Sequence, residues 1–156
     1  MTILINKKVS LNILKHHFQE ISSELESRLE LLAEHILFDQ NEHKLKINLK
    51  LISSNEMINL NGDFRAKDLD TNVLSFPAEK DIQKISGELG DIAISMPYIQ
   101  NESQNLNRGL DDHMMHLVTH GILHLLGLDH INEKDANLME SHEISYLKKF
   151  NIANPY

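Results

Sequence analysis

Residues 120–130 read HGILHLLGLDH, which places three histidines, two glycines and five aliphatic residues in eleven positions. On a helix, His120 and His124 stand one turn apart on the same face, so their rings can converge on one ion. Leu117, Leu123 and Leu126 can anchor that helix, and Gly127 can end it in a left-handed turn. A chain that reverses at Gly127 can bring His130 back toward the first two rings. Three neutral imidazoles with an open fourth position make a catalytic type of zinc site rather than a closed structural one. Magnesium and calcium prefer oxygen ligands. The expected cofactor is one Zn2+ per chain.

A second stripe competes. Six of the ten histidines fall between His113 and His142. His113, His116, His120 and His124 share one helical face, so His116 is an alternative third ligand to His130. The turn at Gly127 favours His130. The segment also departs from the H-E-x-x-H pattern of zinc proteases, which sets a general base beside the first ligand. Here that neighbour is Gly121. A bound ion can still bring water close to neutral pKa, but the usual proton acceptor for peptide hydrolysis is missing. Asp129 could serve as a weak general base, support a ligand, or simply shape the turn.

The elements that must position these residues follow from periodicity. "TILINKKV" is expected to form a first strand. A helical pattern runs from about Ser10 to Phe38, with Leu25, Leu29, Leu32 and Ile36 on one face, as one helix or as two broken near Ser22–Ser23. "KLKINLKLIS" alternates, with Leu45, Ile47, Leu49 and Leu51 inward and lysines outward. This predicts a half-buried strand, with the lysines as edge guards or, less simply, as contacts for a nucleic-acid backbone. Ser53 or Ser54 can cap a short helix carrying Met57, Leu60 and Phe64 inward. "TNVLSFP" and "GELGDIAIS" predict two more strands. Helices are expected from Pro97 to Leu126, interrupted near residues 105–109, and from Glu133 to Phe150. The fold class is α+β (mixed α/β): a single domain over residues 1–156, with a mixed sheet of about four strands packed with helices and a zincin-like metal-binding helix.

Bulk properties narrow the class. A chain of 156 residues can bury one sizeable core. No apolar run approaches a bilayer span, and the start lacks the order of a secretory signal, so a cytoplasmic location without a membrane partner is expected. The absence of cysteine excludes disulfides and thiolate sites. A net charge of -8 argues against loose, sequence-blind adhesion to nucleic acid. The charge is uneven: residues 20–42 are acidic, and residues 44–67 carry Lys44, Lys46, Lys50, Arg65 and Lys67 against Glu56 and Asp63. Aromatic content of 5% leaves little for base stacking.

The run HGILHLLGLDH resembles the signature H-G-x-L-H-L-x-G-x-D-H of the YbeY family of bacterial single-strand-specific endoribonucleases. "NGDFRAKDLDTNVLSFP" is similar to that family's Arg-containing loop and following strand, and "LGDIAIS" to its L-G-D-I-x-I-S strand. Met139, Glu143 and "NPY" also fit. The resemblance covers about residues 55–156; the first fifty or so residues match only in pattern. Asn72, Phe64, Asp70 and Leu128 depart from the usual Asp, Tyr, Pro and Tyr, and Asn72 is therefore given no role. The resemblance implies zinc at His120, His124 and His130, a functional Arg65, and RNA as substrate. It further implies 16S ribosomal RNA 3′-end maturation and ribosome quality control, with the small ribosomal subunit and assembly factors as partners.

On that reading Arg65 clamps a scissile phosphate, a task suited to its bidentate fork. Asp91 and Asp129 are candidates to support a ligand histidine from behind. Gly121 leaves room beside the ion, where a carboxylate would repel a phosphate. Two alternatives belong to other classes: another zinc hydrolase, peptidase-like, and a non-catalytic ribosome-assembly factor with a structural metal.

Overall fold

The computed structural model describes residues 10–15, 21–42 and 46–156. Strand β1 spans Ser10–Lys15, β2 Lys46–Ile52, β3 Val73–Pro77 and β4 Glu88–Ser95. They form one mixed sheet in the order β1-β2-β4-β3, parallel except for the antiparallel pair of β3 with β4. The helices are α1 (Ser23–Asp39), α2 (Ser54–Arg65), α3 (Lys80–Ser86), α4 (Met96–Asn105), α5 (Leu110–Leu125) and α6 (Glu133–Lys148). This is the mixed class expected from the sequence.

Several expectations change. Ser10–Lys15 is a strand, not the start of a helix, because it finds a parallel partner in β2 that no local pattern reveals. Helix α1 begins at Ser23, capped by the Ser22 hydroxyl, which accepts from the Leu25 amide at 3.1 Å. The strand expected over "TILINKKV" lies outside the described residues, as does Lys44. β2 is an interior strand between β1 and β4, so its lysines guard no edge. Phe64 does not face inward: it is 65% exposed, with its ring 4.7 Å from that of Phe76. The short helix α3 buries none of its residues, so no apolar periodicity marks it in the sequence.

The sheet faces differ in chemistry. Ile47, Leu49, Leu51, Ile92 and Ile94 point to the larger core, which they share with α1, α5 and α6. The period-2 alternation of β2 and β4 dictates this. The opposite face carries a smaller cluster of Ile52, Met57, Leu74 and Ala93 beneath α2. It also carries a polar row. Asn12 donates to Asn48 at 3.3 Å, Asn48 donates to Asp91 at 2.9 Å, and Lys50 pairs with Asp91 at 3.1 Å.

Helix α5 is central, packing on β3, β4, α1, α4 and α6. Its Met114, Leu117, Val118, Ile122 and Leu123 are buried, and α6 covers it with Met139, Tyr146 and Leu147. Among the described residues, no helix is long and apolar enough to cross a membrane.

Candidate metal centre

The three expected histidines meet. One ring nitrogen from each of His120, His124 and His130 lies within 4.8 Å of the others. His120 and His124 come from the last two turns of α5, and His130 from the loop beyond it. The reversal between them follows from Gly127, at φ +94°. The Leu128 amide donates to Leu123 O and the Gly127 amide to His124 O, both at 3.0 Å. This is the paired bonding of a Schellman helix end, which needs a left-handed residue at Gly127. His116 does not join the group. Its Nε2 lies 3.4 Å from Glu143, behind His120.

The donor set fits a metal ion. Nδ1 of His124 lies 3.0 Å from the Leu128 carbonyl, which can only accept. Nδ1 of His120 lies 2.8 Å from a Glu143 carboxylate oxygen. Both rings therefore carry their proton on Nδ1 and turn a bare Nε2 lone pair inward. Those two Nε2 atoms stand 3.0 Å apart. Two lone pairs repel at that distance unless a proton or cation lies between them. Tetrahedral zinc holds its nitrogen ligands about 3.3 Å apart, close to this spacing. Burial first, and then neighbouring His120, hold the His124 pKa below its ordinary value, which favours the neutral ligand form.

Glu143, to which the sequence assigned no role, is the carboxylate behind the site. It is fully buried on α6. Oε1 faces His120 Nδ1 and also His116 Nε2 at 3.4 Å. Oε2 accepts from the Tyr156 hydroxyl at 2.6 Å. Burial alone would raise its pKa, but hydrogen bonds from His116, His120 and Tyr156 outweigh burial and bring it to about 2. Tyr156 is pushed up by burial and by that carboxylate, so it stays a donor. The available signal in the sequence was the i, i+4 placement of Glu143 after Met139, both facing α5.

Asp91 is not brought to the histidines. It lies on the far face of the sheet, held by Asn48 and Lys50, because strand alternation puts its neighbour Ile92 on the α5 side instead. Asp129 lines the site, and its Oδ1 accepts from the His130 amide at 2.8 Å, a turn-shaping bond. Gly121 does not open space beside the ion. A Cβ there would meet three Ile92 side-chain atoms at 3.0–3.2 Å. Glycine lets α5 approach β4, and the Gly121 carbonyl accepts from the Ser75 hydroxyl at 3.2 Å.

The histidines form one wall of a cleft of about 610 Å³, with Arg65, Thr71–Ser75, Pro77 and Asp129 also lining it. Arg65 ends α2 and is exposed. The connection from α2 to β3 is pinned: Asn61 donates to Leu69 O at 2.7 Å, and Asp70 accepts from the Thr71 amide at 2.9 Å. Asn72 accepts from the Val73 amide at 2.7 Å and donates to Glu102 at 3.1 Å, while His113 meets the same Glu102 oxygen at 2.6 Å. β3 is a sheet edge. Its bonds to β4 at Asn72 O and Ala78 N set the phase, so Val73, Ser75 and Pro77 turn their backbone outward. Asn72 occupies the Val73 amide, Pro77 has none, and the Ser75 amide points to the outward side of this strand.

The chain is similar to known proteins. The family described as endoribonuclease YbeY matches residues 7–151. The endoribonuclease YbeY of Francisella tularensis subsp. tularensis strain SCHU S4 is 39% identical over 134 residues, covering 81% of this chain and 80% of that protein. The counterpart in subsp. novicida strain U112 is 42% identical over 115 residues, covering 71% of each. The solution structure of TM1509 from Thermotoga maritima superposes with a TM-score of 0.63 at 26% identity, covering 89% of this chain and 87% of that one. With a family match over most of its length and relatives near 40% identity, this chain belongs to the endoribonuclease YbeY family.

Proposed function

We propose that this protein is a zinc-dependent endoribonuclease that cuts single-stranded RNA in ribosomal RNA processing, acting with the small ribosomal subunit and assembly factors. The observation that carries the reading is the convergence of three imidazoles, two with Nδ1 committed elsewhere, on a cleft that also holds Arg65. His120, His124 and His130 would hold the ion. When bound, it supplies Lewis acidity for a phosphate oxygen and for a water.

The chain's own residues do the rest. Arg65, exposed at the cleft, can grip two phosphate oxygens and offset the charge that builds up on them. The Ser75 amide can add a neutral donor along the β3 edge. Asp129 keeps the His130 loop shaped and is the cleft's own carboxylate, 2.8 Å from the His130 amide. A cleft with one cationic side chain among its described lining residues, on a chain of net charge -8, binds RNA weakly by itself. That is consistent with delivery of the substrate by a ribosomal partner.

The experiment is cleavage of a single-stranded RNA by zinc-loaded protein free of contaminating nuclease. Wild type should cut, folded His124→Ala should not, and folded Arg65→Ala should cut far more slowly. A clean, metal-loaded wild type that leaves RNA intact refutes the reading. Peptide hydrolysis lost in His124→Ala would favour the peptidase-like alternative instead. Loss of folding in His124→Ala, with no cleavage by wild type, would favour a structural metal.

A further inference from the structure

The segment after α6 reaches back to the metal centre. Ile152 is 8% exposed within the main core, and its amide donates to Leu147 O at 3.1 Å. Pro155 is buried, and its carbonyl accepts from the Arg108 guanidinium in the α4–α5 loop. Tyr156 follows, its amide bonded to Asn154 Oδ1 at 2.9 Å. The residue is 58% exposed, yet its hydroxyl points inward to Glu143 Oε2 at 2.6 Å.

A carboxylate is a rigid plane, so the partner of one oxygen fixes the other. Glu143 Oε2 is held by Tyr156, and Oε1 is held by His120 Nδ1 at 2.8 Å. Glu143 has no exposed surface and cannot replace a lost donor with bulk water without moving. A turn of the plane that frees Oε2 also carries Oε1 away from His120. The bond at Nδ1 is what aims His120 Nε2 at the ion.

We propose that Tyr156 is a positioning residue of the metal centre, acting through Glu143 on His120, and that the segment 152–156 is the strap that holds it there. This rests on the reading of the three histidines as the metal site. Tyr156 does not line the cleft that holds Arg65. Its hydroxyl orders the carboxylate, and Arg108 anchors the strap on which it sits.

Zinc affinity of the full chain, measured by competition with a chromogenic chelator, tests this. The same proteins are compared without metal by imidazole ¹⁵N NMR and by thermal unfolding. Glu143→Gln should bind zinc about 10–100-fold more weakly, and Tyr156→Phe, which keeps the ring, roughly tenfold more weakly. In metal-free Tyr156→Phe, the His120 Nδ1 proton should exchange faster and the tautomer shift toward a mixture, with little change in melting temperature. A Tyr156→Phe protein with wild-type zinc affinity and an unchanged His120 Nδ1 signal overturns the inference, whether or not Glu143→Gln folds. His124→Ala separates the two failures. If it loses zinc while Tyr156→Phe does not, the strap is wrong and the site stands. If it keeps wild-type affinity, the site and the strap fall together.

Discussion

His124 Nδ1 stands 3.0 Å from the carbonyl oxygen of Leu128, so a candidate ligand is oriented by the same turn that ends its helix. That turn depends on Gly127 at φ +94°, where a Cβ would meet nothing within 4 Å and only backbone conformation restricts the residue. Gly127→Ala should therefore cost about 1–2 kcal/mol through left-handed strain. Chemical denaturation should show this loss. Zinc affinity should fall with it, because Leu128 O shifts.

Gly121→Ala tests a different cause. The added methyl meets Ile92 at 3.0–3.2 Å, so overpacking should destabilise by about 1–3 kcal/mol. Adding Ile92→Val should recover part of that loss in the same denaturation assay. Unchanged stability with altered RNA cleavage would return Gly121 to the cleft.

Ligand identity is open to direct metal analysis. Wild type should carry about one ion per chain, and His130→Ala should lose it. His116→Ala should retain it, because His116 faces Glu143 and not the other two ligands. Retention by His130→Ala and loss by His116→Ala would reverse the assignment.

Arg65→Ala should lower RNA cleavage by about 10²–10³-fold if the guanidinium meets the developing charge. Its metal content should be unchanged, and its stability should stay within about 0.5 kcal/mol of wild type, since the side chain is exposed. Single-turnover cleavage alongside metal analysis distinguishes this from a folding defect.

His113 predicts a pH dependence of stability. Burial lowers its pKa from 6.5, although the bond to Glu102 pulls the other way. The unfolded chain therefore takes up the proton first as pH falls. The stabilisation is complete above about 6.5 and is lost as pH drops toward the folded value. His113→Gln should flatten the fall of the urea midpoint between pH 7 and 5. An unchanged slope would show that the ring binds its proton equally well folded and unfolded, and a steeper fall in the variant would show that the fold favours the protonated ring.

Local pattern made much of this protein legible. The spacing of Leu25, Leu29, Leu32 and Ile36 marked the buried face of α1, and alternation marked β2 and β4. His120, His124 and Gly127 are close enough in sequence for helix pitch and one turn to bring their chemistry together. Ser10–Lys15 resisted such reading because a short strand is defined by its partner, and that partner begins at Lys46. The edge assignment failed for the same reason. Lysines on β2 are compatible with an edge, but only strand order places β3 there, with Pro77 on its outward side.

What the sequence by itself determined is the histidine spacing, the helix that carries two of the histidines and the turn that returns the third, all contacts within about one helical turn or one reversal. Only the tertiary structure decided which acid stands against the histidines. Asp91 lies in a strongly patterned strand but faces the wrong side of the sheet. Glu143 lies 23 residues beyond His120 and is brought to it by the packing of α6 on α5. Tyr156 comes still later, next to Pro155, whose carbonyl is held by an arginine from the α4–α5 loop, and its hydroxyl donates to Glu143. Contacts at such separations depend on which faces of two helices meet, and periodicity describes each face without naming its partner.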